Sequence, residues 1–226
     1  MKKKIVILSF LLIVSTIAMA TILPVNNFDI GAKLAKIEHK DLIVMFSTTT
    51  CPYCSKFIDE TYTNEIVQEL IQNNYIFVEL NEKSPKLHFD GKELTFVELA
   101  QVFRIKGTPS FVFFTYNSTP ITVLPGYVPA DTFSKVLRYL SQKLYRKNVK
   151  FSDYLKEKDN YLGKHNIIKI SEEDAKFILE NDPFAISINK ISDAKSKYRH
   201  YIVYDNELVN DLVKQGIYNI LLVSEE

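Results

Sequence analysis

Five successive apolar residues, Leu42-Ile43-Val44-Met45-Phe46, fill the run DLIVMFS (residues 41–47) and stop at a polar turn. Strand side chains alternate between two faces, so an unbroken apolar run of strand length requires cover on both. A chain built on such a strand is an α/β layer structure with helices on both sides of its sheet. The flanking pattern supplies those layers. An amphipathic helix is expected around Phe28–His39, and CSKFIDETY reads as a second helix, with Thr63 placed to cap a continuation, NEIVQELIQNN. YIFVEL (Tyr75–Leu80) is another buried strand, and Asp90-Gly91 marks a turn. Thr95 caps the helix FVELAQVFRI, and SFVFFTY and ITVLPGY form a hairpin across NSTP. Pro129 or Ala130 starts a helix whose Phe133, Val136, Leu137 and Leu140 share one face.

Directly after the first strand come the only cysteines of the chain, Cys51 and Cys54, separated by Pro52-Tyr53. A disulfide staple stabilises by closing a long loop, and this pair closes almost none. At a strand-to-helix junction, Cys51 would meet the unpaired N–H groups and positive dipole end of a helix, which favour a thiolate. Pro52 suits the first helical turn. Cys54, one turn on, would face inward as the resolving thiol, leaving Cys51 as the exposed nucleophile. Two other readings compete. C-x-x-C is half of a zinc site, but no third cysteine exists and His39, His88, His165 and His200 lack ligand spacing, so no metal is assigned. A merely structural disulfide would stabilise little. Thiol exchange uses the cysteines themselves, so no cofactor is called for.

The N-terminal segment MKKKIVILSFLLIVSTIAMA has a basic start, an apolar run from Ile5 to Val14 and an Ala18-Met19-Ala20 ending, the layout of a secretory signal peptide cut after Ala20. An uncleaved anchor is the alternative, although a span usually needs about 20 apolar residues. No cysteine follows the run, which argues against a lipid-modified terminus. Removing Lys2, Lys3 and Lys4 would take the formal charge from +1 to −2. The compartment expected is extracytoplasmic and oxidising: periplasmic if the source is a Gram-negative bacterium, or secreted. With that charge, and no basic–aromatic block beyond the first residues, nucleic acid is excluded as a partner. The expected organisation is a leader at 1–20, a first α/β domain at 21–147, a polar linker at 148–165 holding one short helix, and a small βαβ-type domain at 166–226. In the last, Ser171 and Asp174 form a capping box and Gly216 ends a helix.

A second marker is KGTPSFVFF. Proline directly before a buried strand removes a ladder donor. A cis Thr108-Pro109 bond would expose the Thr108 backbone to a substrate peptide pairing in β fashion, whereas an ordinary loop proline would not. With C-x-x-C after the first central strand, Thr-Pro before the next and the glycine of LPGY, residues 28 to 145 resemble a thioredoxin-fold protein. They are most similar to the secreted bacterial thioredoxin-like proteins linked to periplasmic disulfide reduction and sulfur oxidation, through FDGKELT, GTPSFVFF and LPGY. The resemblance implies Cys51 as nucleophile, Cys54 as resolving thiol, Pro109 as the cis-proline, Pro52, Tyr53 and Thr108 beside the substrate, and Gly126 as a close-packing glycine at the site.

The chain departs from thioredoxins in several places. Thr50 replaces the tryptophan before the first cysteine, and Pro52-Tyr53 is the dipeptide of dithiol glutaredoxins, although no glutathione-site signature accompanies it. Met45 stands where thioredoxins bury an aspartate, and Glu79 where the next strand usually has lysine. Glu79 is either the proton acceptor for Cys54 or a solvated strand-end charge. The C-terminal part weakly resembles a shortened rhodanese-like domain with Asp205 in the place of its cysteine. That implies a catalytically dead module that binds a partner or shields the site, unless the part is an unrelated appendage. The function expected is an extracytoplasmic thiol–disulfide oxidoreductase, a reductase of disulfide-bearing proteins supplied by a membrane-bound thiol–disulfide electron donor. The alternatives are a disulfide-forming oxidase and a non-catalytic binding or chaperone module.

Overall fold

The computed structural model describes residues 23–224, so the expected leader lies outside the described residues. Among them, no helix is long and apolar enough to cross a membrane. Strand β1 (Asp41–Phe46) occupies the middle of a sheet of order β2-β1-β5-β6, formed with β2 (Tyr75–Leu80), β5 (Ser110–Phe114) and β6 (Pro120–Pro125). It runs parallel to β2, with Met45 opposite Glu79 and Phe46 opposite Leu80, and antiparallel to β5, with Phe46 opposite Ser110. The apolar run divides as its pleat requires. Leu42, Val44 and Phe46 join a cluster with Phe28, Leu34 and Val78, beneath helix α1 (Phe28–Ile37) and helix α4 (Phe96–Val102). Ile43 and Met45 join the opposite cluster with Phe57, Phe77, Phe111 and Phe133. Helix α2 (Pro52–Lys56), helix α3 (Glu65–Asn74) and helix α5 (Ala130–Ser141) cover that face. All five residues of the run are fully buried, each contributing roughly 1.5–3 kcal/mol.

Helix α2 continues into a π-helical segment, Phe57–Tyr62. Thr63 does not cap α3. Its backbone is still helical (φ −78°, ψ −6°) and its hydroxyl donates back to the Asp59 carbonyl. An N-cap must be extended, and Asn64 is (φ −62°, ψ 133°), accepting from the Ile66 and Val67 N–H groups. A short hairpin, β3 (Leu87–Phe89) and β4 (Lys92–Leu94), turns at Asp90-Gly91, where both residues have positive φ.

The C-terminal part forms a second, wholly parallel sheet, β7-β10-β9-β8, from β7 (Asn166–Ile170), β8 (Ala185–Ser187), β9 (His200–Val203) and β10 (Asn219–Val223). Helix α7 (Glu172–Asn181) follows β7 and helix α8 (Asn206–Lys214) follows β9. Ser171 accepts from the Asp174 N–H, but that aspartate is a methylene shorter than the glutamate of a full capping box and returns no bond. Ile168, Ile170, Ile178, Ile202 and Leu221 join the cluster beneath α1, so α1 is packed between the two sheets. Residues 148–165 include helix α6 (Phe151–Tyr154) and run along α5. Tyr139 donates to the Val149 carbonyl (2.6 Å), Arg138 to the Tyr161 carbonyl (2.9 Å) and Lys135 to the Leu155 carbonyl.

Between the sheets lies a polar seam, fully buried except at Asn166. His200, Asn219 and Asn166 stand side by side at the starts of adjacent strands. Asn166 donates to the Glu38 carbonyl and Asn219 to the Gln72 carbonyl. His200 Nδ1 lies 2.5 Å from Asp182 Oδ2 and 3.1 Å from Glu38 Oε2, while Lys40 Nζ lies 3.1 Å from Glu38 Oε2 and 2.6 Å from His200 Nε2. The Glu38 oxygens receive charge contacts rather than well-aimed hydrogen bonds. Burial alone would raise the Glu38 carboxyl, but Lys40 and His200 beside it bring it down to about 2. Burial opposes the charge on His200, yet Asp182 and Glu38 hold its pKa up at about 9, whereas burial pushes Lys40 below the usual lysine value.

Removing one member strands the others in a dry site. His200→Ala is expected to cost roughly 3–5 kcal/mol in chemical denaturation. The His200 contribution is complete below its unfolded pKa near 6.5 and is lost as pH rises through about 9. Lys40, with its depressed pKa, titrates in the opposite sense. His200→Gln should therefore show a smaller loss of stability than the parent between pH 6.5 and 9, read from urea midpoints.

Candidate functional site

The C-terminal end of β1, the start of β5 and the end of β6 lie together, because Phe46 faces Ser110 and Ser110 faces Pro125. That geometry gathers the loops carrying Cys51, Pro109 and Gly126 at one edge of the sheet. Cys51 and Cys54 are joined by a disulfide. Cys51 is the N-cap of α2, and the Cys54 N–H donates to its Sγ at 3.1 Å. A thiolate at that atom would receive the same bond and the same dipole. Pro52 is the first helical residue, as its missing donor permits. Exposure is smaller than expected for Cys51, 9% against 3% for Cys54, because the Cys51 side chain belongs to the apolar cluster with Phe57 and Phe111. Cys51 remains the more accessible of the two.

The rim is aromatic and charged. Tyr53 is 60% exposed, its ring tilted against Tyr127 at 6.4 Å between centroids. Tyr127 donates to Glu60 (2.9 Å) and carries Lys56 Nζ over its ring at 4.9 Å. The turn before Cys51 is held from below by Glu82, which accepts from the Thr49 N–H at 3.1 Å and from the Thr49 hydroxyl. The Thr108–Pro109 bond is cis and Pro109 is buried. The Gly126 N–H donates to the Pro109 carbonyl (2.8 Å), while the N–H and C=O of Thr108 bond to no described residue.

Glu79 is half-buried and accepts from the Ser47 hydroxyl at 2.7 Å. It shares its face of β2 with Tyr75 and Phe77, both in the cluster that holds the cysteines. Met45, its register partner, is fully buried in that cluster. Ser47, Glu82 and Tyr127 were not singled out from sequence; only the position of Tyr127 after Gly126 offered a signal. Gly126 serves the site differently from the close packing expected of it. A Cβ there would meet nothing within 4 Å, but φ is +84°. The glycine is required by the turn, not by space.

Asp205, at the position expected to match a rhodanese cysteine, caps α8 by accepting from the Glu207 N–H (2.8 Å). No residue of the second sheet enters the cluster around the cysteines. Among the described residues, one set of metal-type ligands converges, Glu38, Asp182 and His200. Lys40 Nζ lies beside both Glu38 and His200, and the set is held together as a buried cluster of ionisable groups.

The "Thioredoxin-like domain" family model matches residues 28–141, half of the chain, and the protein belongs to that family. Mouse anterior gradient protein 3 is 29% identical over 127 residues, covering 53% of this chain and 74% of the relative. A thioredoxin-fold protein from Helicobacter pylori aligns with 24% identity and a TM-score of 0.46, over 52% of this chain and 79% of that one. A thioredoxin from Thermus thermophilus aligns with 25% identity and a TM-score of 0.45, over 54% and 89%. The family and the paired cysteines together define the class, that of thiol–disulfide oxidoreductases.

Gly126→Ala is expected to cost roughly 1–2 kcal/mol from backbone strain alone. Gly126→Asn should recover part of that in equilibrium denaturation, which a packing defect would not allow.

Proposed function

We propose that the protein is an extracytoplasmic reductase of protein disulfides. The observation that carries the reading is the N–H of Cys54 aimed at Cys51 Sγ, at the same sheet edge as the open Thr108 backbone. In the reduced protein, the Cys51 thiolate attacks one sulfur of a substrate disulfide. A bond forms between the two sulfurs, and the second substrate sulfur leaves as a thiolate that takes a proton from water. Cys54 then loses its proton, attacks Cys51 Sγ and releases the first substrate sulfur. Two electrons have passed to the substrate, and the Cys51–Cys54 disulfide remains. A membrane-bound thiol–disulfide donor restores the dithiol by the same exchange in reverse. Tyr53, Pro52 and Thr108 flank the incoming chain, with Thr108 offering β-type pairing. Glu79, on the cysteine face and bonded to Ser47, accepts the Cys54 proton.

The leader-like N-terminus and the GTPSFVFF and LPGY motifs support the extracytoplasmic setting and the bacterial secreted subgroup. The oxidase reading uses the same atoms in reverse, and thiolate stability decides between them.

Insulin reduction with dithiothreitol is expected to fall to background in Cys51→Ser, whereas Cys54→Ser should accumulate a mixed disulfide visible by mass spectrometry. Retained activity in Cys51→Ser would leave a binding module as the better reading. Thiol trapping in cells is expected to find the pair mostly reduced; mostly oxidised cysteines would indicate an oxidase. Glu79→Gln should slow mixed-disulfide resolution about a hundredfold. An unchanged rate would hand that proton to solvent.

A further inference from the structure

The cis-proline loop forms one wall of a cavity of about 460 Å³, lined by Arg104, Lys106, Thr108, Pro109, Val123 and Pro125 among others. Its charge is one-sided. From Leu99 to Ala130 the sequence contains no Asp or Glu, and Arg104 and Lys106 are its sole charged residues. That stretch supplies every residue of the cavity wall. Both cations are exposed, and neither pairs with a carboxylate among the described residues. Glu60 and Glu82 do not line the cavity, and both are engaged, Glu60 with Tyr127 and Lys56 and Glu82 with Thr49. A segment paired with the open Thr108 backbone therefore runs beside two unpaired cations, with no carboxylate in the cavity wall. Val123 and Pro125 add an apolar part to the same wall.

Resting on the oxidoreductase reading, we infer that the preferred substrate is an extended polypeptide whose reactive cysteine is flanked by a carboxylate residue, Asp or Glu, that docks on Arg104 and Lys106. A residue of this charge satisfies both cations, and a lysine in its place would meet two like charges. Two exposed cations are far too few to hold a nucleic acid backbone, which leaves a peptide carboxylate as the matching group.

The test uses three synthetic peptides identical except for Glu, Gln or Lys flanking one cysteine, each capped as a disulfide with 2-mercaptoethanol. Neutral bis(2-hydroxyethyl) disulfide serves as the reference substrate. With the reduced protein, the Glu peptide should react about tenfold faster than the Lys peptide at low salt. The ratio should fall towards one by about 500 mM salt. Arg104→Glu combined with Lys106→Glu should invert the order. Equal rates for the three peptides, a salt-independent ratio or an uninverted order in the double variant would overturn the inference. Failure to reduce even the reference disulfide would defeat the oxidoreductase reading instead. Fluorescence-polarisation titration of the same peptides with Ser for Cys reads the charge preference without any redox step. There, tighter binding of the Glu peptide supports the basic groove and indifference to charge refutes it.

Discussion

The first sheet and its two helical layers are arranged around a strand whose last five residues are closed to water. β1 is buried on both faces and hydrogen-bonded on both edges, so the two helical layers and both neighbouring strands are fixed relative to it. Its two ends carry the two polar features of the protein. Lys40, just before its first residue, belongs to the buried charge seam, and Cys51, a short turn beyond its last, begins the reactive helix. Six residues of strand hold these about 20 Å apart. A rigid apolar rod thus separates a structural ionic site from a chemical one. The second sheet docks at the seam end and contributes no residue to the cluster around the cysteines. This placement argues against the shielding role that the rhodanese-like resemblance implied.

The seam is weak evidence for stability and stronger evidence for specificity. Burying four ionisable groups costs several kcal/mol per ion before their mutual attraction and hydrogen bonds offset it. Apolar residues of similar volume could have joined the sheets at least as tightly. What the polar row of Asn166, Asn219 and His200 adds is register, because each finds its partner only when β7, β10 and β9 meet the ends of α1 and α3 in one alignment. The apolar contacts of Ile168, Ile202 and Leu221 beneath α1 would tolerate sliding that the seam does not.

The central strand and the mixed sheet were legible because a both-faces-buried strand announces itself in five consecutive residues. The cysteine turn was legible because proline and cysteine at a strand-to-helix junction leave the next turn of backbone few conformations other than helix. Thr63 and Asn64 were not separable, since either side chain can cap and only the backbone at the end of the π-helical segment decides. His200, Asp182, Glu38 and Lys40 could not be brought together from sequence, being up to 162 residues apart and carrying no common spacing. Polar residues 148–165 read as a linker because composition records side chains. Their carbonyls, which receive Lys135, Arg138 and Tyr139, leave no trace there. Gly126 lies beside Pro109 for a reason not written in the chain, because a sequence does not distinguish a glycine needed for space from one needed for φ.

The exchange of an acid for Met45 has a geometric answer. Met45 and Glu79 are register partners on adjacent parallel strands, about 4.8 Å apart along the hydrogen-bonding direction. Residues paired in this way project from the same face, and here that face packs against the helix bearing the cysteines. In the proposed mechanism Glu79 stands in for the first-strand carboxylate that the thioredoxin resemblance implies, one strand sideways in the same layer. Position 45 lies in the interior of the sheet, fully buried, where an ionised group would have to be matched by partners that the surrounding Phe57, Phe77 and Phe111 do not offer. Position 79 lies near the end of β2, half-exposed, with the Ser47 hydroxyl to orient it. A proton passed to Glu79 can therefore continue to solvent, whereas one held at position 45 would need a buried route out. Met45 leaves the layer beneath the disulfide apolar, and the proposed acceptor sits at its half-exposed margin.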